Sequence, residues 1–363
     1  MARWRRLTKV GGVAVGAAAA GAGVLLAAEK IAVGRLRLRP DPAAGERFGQ
    51  LRGRPMAVLT DDGVPLHAEV SGPDDAPVTI IFSHGYTLSQ DIWHYQRQAL
   101  AGTARLVFWD LRGHGRSGRN SDHGLPDQVS IERLGADLGL VLAATAPGAG
   151  PVVLAGHSMG GMTIMALAAQ QPELFGTKVI GTVLISTAAS GIDPAIGLPG
   201  PLRPVVQHAA SAVLRGASQR GPAALIERGR HAAGDIAFLS TRYLAFGDPD
   251  VSPAVVDYLE RIIRATPVAV VTEFYRALIA HDQRVALEVL GRVPTVVLTG
   301  ERDRMIPARL TGEVAAAIPG ADMILVPGAG HLLILERPEV VNQAITALVN
   351  RALRRVGSKK RLA

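Results

Sequence analysis

The chain contains no cysteine. Disulfides and thiolate metal sites are therefore excluded, and the redox compartment cannot be read from cysteine usage. Aromatic residues make up only 4% of the chain and are not interleaved with the basic ones, which leaves nucleic-acid binding little support. No stretch is polar enough to suggest a long disordered region, and no internal repeat is visible. Acidic residues are nearly missing from both ends. Of 39 Lys and Arg, eight lie in residues 1–39 beside the single acid Glu29, and six lie in residues 351–363 beside none. The net charge of +8 thus belongs to the ends, and the body between them is net acidic.

What is present is a chain of 363 residues, 48% of them hydrophobic, enough to bury a substantial core in one large domain or two small ones. Near the start, Arg3, Arg5, Arg6 and Lys9 precede an uncharged stretch from Val10 to Ala28. As a helix it would span about 28 Å, close to a bilayer core. Ala and Gly dominate it, so insertion is marginal. Three readings stand: an uncleaved anchor, a signal peptide cleaved near Ala20-Gly21-Ala22, and a buried Ala/Gly-rich helix. Export or anchoring in the cell envelope is favoured over a soluble cytoplasmic location. Lys30, Arg35, Arg37 and Arg39 leave the orientation open.

The rest of the chain alternates apolar strands with helical stretches, which predicts a parallel sheet covered on both faces. Residues 40–54 read as a linker. A hairpin is predicted around Asp61-Asp62-Gly63, followed by strands at Val78–Phe82, Leu106–Trp109, Val152–Ala155, Thr182–Ile185, Thr295–Leu298 and Met323–Val326. Helices are predicted over Ile131–Ala144, Ala308–Ile318 and Pro338–Ala352. Between Ser186 and Pro294 the alternation breaks. This stretch reads as all-helical, with Ser252-Pro253 and Thr266-Pro267 as cap-plus-proline starts. Such an insertion predicts a lid over the sheet's carboxyl edge, and the alternative is a second domain with its own core.

Around Ser158 the strand Val152–Ala155 runs into Gly156-His157-Ser158-Met159-Gly160-Gly161 and then a helix. Strand, sharp turn and helix around Gly-x-Ser-x-Gly are what a nucleophile elbow requires. A serine hydroxyl needs a base, and the base an orienting acid. If the order is serine, acid, histidine, His331 after the last strand is the base and Asp303 after the preceding strand the acid. Asp193, after an earlier strand, is the alternative acid. Two oxyanion donors are expected: the Met159 N–H after the nucleophile, and the Tyr86 N–H behind His84-Gly85. Gly113-His114-Gly115-Arg116-Ser117-Gly118 formally matches Gly-x-Gly-x-x-Gly. However, a dinucleotide site would need a helix there and an acid at a strand end, whereas Asp137 falls inside a predicted helix.

Taken together, His84-Gly85, Asp110-x-Arg112-Gly113-x-Gly115-x-Ser117, the elbow, Gly300-x-x-Asp303 and Gly330-His331 resemble the α/β-hydrolase superfamily over roughly residues 56–350. The resemblance implies the α/β-hydrolase fold. It makes Ser158, Asp303 and His331 the catalytic triad, Tyr86 and Met159 the oxyanion donors, and Asp110, Arg112 and His157 structural supports. Epoxide hydrolases and haloalkane dehalogenases of the superfamily carry aspartate at the elbow, so Ser158 counts against both. The expected division is a leader over 1–39, core over 40–186, lid over 187–290, core again over 291–350 and a basic tail over 351–363. The expected activity is hydrolysis of a small apolar or lipid-derived carboxylic ester through an acyl-enzyme, with no metal or organic cofactor implied. Acyl transfer, haloperoxidase-like perhydrolysis and carbon–carbon hydrolysis would use the same triad. A non-cycling ligand-binding protein is the reading from another class. The leader and basic tail suggest association with a membrane.

Overall fold

The computed structural model describes residues 30, 33–119, 129–148, 150–193 and 234–362. Val10–Ala28 and residues 194–233 of the insertion lie outside the described residues. Eight strands form one sheet: β1 (Arg54–Leu59), β2 (Pro65–Ser71), β3 (Thr79–Ser83), β4 (Arg105–Trp109), β5 (Val152–His157), β6 (Val179–Ile185), β7 (Thr295–Gly300) and β8 (Asp322–Val326). Their spatial order is β1-β2-β4-β3-β5-β6-β7-β8. The predicted hairpin pairs β1 with β2 antiparallel, Leu59 opposite Pro65, and Gly63 takes the positive φ of 82° that its turn needs. β2 meets β4 antiparallel, and every pair from β4 to β8 is parallel.

The parallel strands are continuous apolar runs because both of their faces are covered. Every residue of β3, β5, β6 and β7 is buried. Successive side chains enter opposite layers. Ile81, Leu154 and Val297 face one core, with α2 (Ile131–Thr145) and α3 (Met159–Gln170) following α1 (His94–Ala99) in the chain. Ile80, Phe82, Val153, Ala155 and Leu298 face the other. The mixed α/β expectation therefore holds, including the two-sided cover.

Between β6 and β7 come α4 (Gly234–Ala245), α5 (Pro253–Ala265) and α6 (Val268–Ala280). Ser252 caps α5 as expected, its hydroxyl accepting from Val255 N. Thr266 does not cap α6: the N-cap position falls on Pro267, and the Thr266 hydroxyl donates to Thr87 O at 3.0 Å. The contact with the loop after β3 outcompetes the local cap. The longer helices after β7 are α7 (Ala308–Ala317) and α8 (Pro338–Leu362), with a single turn over Leu333–Glu336 before α8. α8 runs ten residues past the predicted end at Ala352, so the described part of the basic tail continues a helix. Among the described residues no helix is long and apolar enough to cross a membrane.

The stretch read as a linker is docked. Asp41 accepts from Ala254 N at 2.9 Å and from the Ser252 hydroxyl, at the start of α5. Phe48 stacks on Tyr258 with ring centroids 4.5 Å apart. Packing reaches back into the expected leader, where Val33 is buried, Arg37 pairs with Asp257 at 3.1 Å and Arg39 with Asp250 at 2.7 Å. A Pro-rich polar composition hid tertiary contacts that no local pattern encodes.

Candidate active site

Loops at the carboxyl ends of β3, β5, β7 and β8 converge, as open parallel sheets arrange their functional groups. Ser158 lies between β5 and α3 at φ 53° and ψ −118°, a backbone conformation that L-residues rarely adopt. Hydrogen bonds hold it there. Ser158 N donates to Ile185 O at 2.8 Å, and Ser158 O accepts from the Thr187 hydroxyl at 2.8 Å. The elbow demands small flanks, because a Cβ at Gly160 would stand 2.0 Å from Ser83 O, and one at Gly156 would stand 2.5 Å from the Gly160 carbonyl carbon. Met159 opens α3, so its amide is among the first-turn N–H groups that have no intrahelical acceptor.

His331 Nδ1 donates to Asp303 Oδ2 at 2.8 Å, which leaves Nε2 as the proton acceptor of the ring. Asp303 Oδ1 accepts from Met305 N at 2.9 Å and Ile306 N at 2.8 Å, so the carboxylate is fixed before it orients the imidazole. The carboxylate on His331 is thus that of Asp303, not that of Asp193. The loop after β3 passes over the serine, since a Cβ on Gly85 would lie 3.1 Å from Ser158 Cβ. A cavity of about 110 Å³ opens here, lined by Gly85, Tyr86, Ser158 and His331. Its other walls are mainly apolar and include Met162, Leu259, Ile263 and Leu278. The Ser158 hydroxyl makes no capping hydrogen bond to the start of α3. The Tyr86 hydroxyl donates to Val271 O of α6, tying the β3 loop to the insertion.

The remaining motif residues serve the scaffold. Burial lowers the pKa of His84 to about 4 and that of His114 to about 3, and it holds His157 well below the ordinary value. All three rings are neutral at pH 7. His84 Nδ1 donates to Gly85 O at 2.8 Å while Nε2 accepts from Leu111 N at 3.0 Å. His114 Nε2 accepts from Thr87 N at 3.2 Å. His157 Nε2 donates to His331 O at 3.0 Å. Asp110 accepts from Gln90 N at 2.7 Å and Arg116 N at 3.0 Å. Arg112 grips Asp137 at 2.6 and 2.7 Å and reaches Asp62 of the hairpin turn at 2.9 Å. Asp137 is therefore spent on an ion pair within the fold, and Gly113 N closes the glycine-rich loop onto Gly118 O at 2.9 Å. Among the described residues, no group of three or more His, Asp or Glu side chains is arranged to hold a metal ion.

One carboxylate escaped the sequence reading. Glu336 is buried five residues after His331 and accepts from backbone amides on two loops. The available signal was a lone acid closing the apolar run Leu332-Leu333-Ile334-Leu335.

A family model described as the alpha/beta hydrolase family matches residues 80–344. The chain belongs to the α/β-hydrolase family. The bifunctional esterase/perhydrolase of Acinetobacter calcoaceticus is 27% identical over 312 residues, covering 80% of this chain and 98% of that protein. The dihydrolipoyllysine-residue acetyltransferase component of the acetoin cleaving system from Pseudomonas putida is 27% identical over 292 residues. That match covers 78% of this chain and 66% of the relative, so this hydrolase spans about two thirds of its length. Among solved structures, a thermophilic esterase from Thermogutta terrifontis superposes with a TM-score of 0.64 at 23% identity, covering 82% of this chain and 98% of that one. At that identity the likeness speaks for the α/β-hydrolase fold.

Proposed function

We propose that the protein is a serine hydrolase of apolar carboxylic esters. The observation that carries this reading is the Asp303–His331 hydrogen bond on a cavity shared with Ser158. In the proposed cycle His331 Nε2 takes the hydroxyl proton as Ser158 Oγ attacks the ester carbonyl. The carbonyl oxygen becomes negative facing the N–H groups of Tyr86 and Met159, which supply the oxyanion stabilisation. Collapse breaks the ester C–O bond, and His331 returns the proton to the departing alcohol. A water then attacks the acyl-enzyme with His331 again as base, releasing the acid and restoring Ser158. Asp303 keeps the imidazole in the Nδ1–H tautomer throughout.

The apolar walls of the cavity favour an apolar acyl group over a charged one. Esterase activity in the named Acinetobacter relative lends the reading support, and its perhydrolase activity favours a second reading in which hydrogen peroxide replaces water as acyl acceptor. The insertion, with α5 and α6 beside the cavity, serves as the lid. Export or membrane anchoring through Val10–Ala28 is part of the proposal, supported by its freedom from charge and its basic flank.

The test uses intact protein, a fluorophosphonate probe and a panel of acyl esters. Covalent labelling lost in Ser158→Ala, with a burst and steady turnover in wild type, is the expected result. Labelling that survives in Ser158→Ala would overturn the nucleophile. A burst without steady turnover would favour a ligand-binding protein.

A further inference from the structure

The geometry points to Glu336 as the positioning residue that sets where His331 stands, an inference that rests on the serine-hydrolase reading above. His331 sits on a short loop after β8 whose backbone must be fixed from both sides for the ring to meet a serine on another strand. Behind the ring, His157 Nε2 donates to His331 O at 3.0 Å, and Leu332 N donates to Ala245 O at 2.9 Å. Ahead of it, Gly330 N donates to Glu336 Oε2 at 2.6 Å. Glu336 Oε1 meanwhile accepts from Gly247 N at 3.0 Å and Asp248 N at 2.5 Å, on the loop between α4 and α5.

One buried carboxylate therefore joins the loop of the general base to the insertion. Its contact is closely fitted: a Cβ on Gly330 would lie 2.4 Å from Gly247 N. Side chains are thus excluded from this crossing, and an ionised acceptor is what satisfies the converging amides. The acid's loop is tied to the same segment. Arg302 N donates to Ala329 O at 2.8 Å, and Arg304 Nη1 donates to Tyr243 O at 2.7 Å and Phe246 O at 2.9 Å. Arg337 pairs with Asp248 at 2.8 Å at the rim. Burial pushes the Glu336 carboxyl up, while the three amides and Arg337 pull it back down. An apolar side chain in this place would leave the Gly330, Gly247 and Asp248 N–H groups without their acceptor. What Glu336 provides is directional: two oxygens facing amides from two different loops.

Glu336→Gln keeps the shape but turns one acceptor into an NH₂ facing backbone N–H groups. We expect kcat on a soluble ester to fall by about tenfold to a hundredfold, the scale of a sub-ångström to ångström misplacement of a catalytic group. KM should stay within about twofold, and the downfield proton resonance of the His331–Asp303 hydrogen bond should shift or broaden. A kcat unchanged per folded molecule, with that resonance unmoved and only the melting temperature lowered, would reduce Glu336 to a structural residue and overturn the inference. If the glutamine variant does not fold, Glu336→Asp, which keeps the charge but withdraws it, is expected to give the same split between kcat and KM, and wild-type kcat there would overturn it equally. Ser158→Ala separates the two readings. If it stays active, the serine reading itself fails. If it is dead while Glu336→Gln is fully active, only the inference about Glu336 fails.

Discussion

Ser158 holds a backbone angle that costs of order 1–3 kcal/mol, and its surroundings hold it there through Ile185 O, Thr187 and two neighbouring glycines. That arrangement makes sense if the hydroxyl must stand clear of both strand and helix. The acid can be tested at the same scale. Asp303→Asn would accept or donate at His331 Nδ1 in either orientation and would no longer fix the tautomer. Turnover should drop by about 10⁴, as triads of this kind do. Steady-state rates of Asp303→Asn beside Asp193→Asn check this, and a crippled Asp193 variant with a mild Asp303 one would reverse the assignment. The buried histidines make a second prediction. His84, His114 and His157 are neutral in the fold but take a proton near pH 6.5 once unfolded. Their folded pKa values are depressed, so stability is lost as pH falls below about 6.5 and the loss continues down to the folded values, about 4 for His84 and about 3 for His114. Each contributes about 1.4 kcal/mol per pH unit within that window. Urea unfolding at pH 7, 6 and 5 should therefore show falling midpoints, with a shallower dependence in His114→Gln. Equal dependence in the two proteins would show that His114 takes up its proton in both states. Residues of this sort were readable to different degrees. Ser158, Asp303 and His331 follow strand ends, and the roles proposed for them require particular side chains. Glu336 was missed because its partners are backbone amides, of Gly330 six positions away and of Gly247 and Asp248 89 and 88 positions away, and backbone donors have no letter in a sequence.

Among the elements, the parallel strands were the most legible, since burial on both faces forces unbroken apolar runs. The ends of the insertion's helices were less so. Thr266-Pro267 carries a valid local start signal, yet the Thr266 hydroxyl is used across space on Thr87 O. Thr87 has φ 59°, so this bond helps hold the β3 loop in an unusual conformation beside Ser158. Helix α6 buries Val270, Phe274, Ala277 and Leu278, a spacing of four, seven and eight that presents one stripe to the body. Leu278 also reaches the cavity, as do Leu259 and Ile263 of α5. The insertion therefore supplies part of the cavity's apolar lining, beside Met162, Ile306 and Leu332. Each acyl methylene buried there should gain about 0.8 kcal/mol, close to fourfold in kcat/KM. The constants should climb from acetyl upward and level off when the cavity is filled. Rates measured from acetate to octanoate check this, and a flat series would mean that α5 and α6 do not contact the acyl chain. Leu278→Ala should move the plateau to longer chains.

At the level of the whole molecule, the two ends carry the positive charge while the body carries the chemistry. The N-terminal arm does more than lead into the fold. Val33 is buried, Asp41 accepts from Ala254 N in the first turn of α5, and Phe48 stacks on Tyr258 of the same helix. The arm therefore braces α5, one of the helices that line the cavity. Losing the Asp41 hydrogen bonds at the start of α5, an aromatic stack and the burial of one valine comes to about 3–5 kcal/mol, while the exposed pairs Arg37–Asp257 and Arg39–Asp250 add little. Two truncations separate location from folding. Removal of residues 1–32 deletes Val10–Ala28 but keeps the brace, so activity on a soluble ester and thermal stability should match the full chain. Removal of residues 1–48 should lower the melting temperature and open the α4–α6 region to proteolysis while β3 to β8 stay protected. Salt then tests the leader. If Val10–Ala28 anchors the protein, the full chain stays with vesicles in 1 M salt, because apolar insertion is not screened. The 1–32 deletion should bind anionic vesicles only at low salt, through exposed Arg354 and Arg355 and the basic residues beyond them on α8, at about 1 kcal/mol per basic side chain near the surface. Full-length protein that leaves the vesicles in high salt would rule out an anchor. A mature N-terminus near Gly23 would make the leader a signal peptide. Loss of folding in the 1–32 deletion would instead make it a packed helix of the domain.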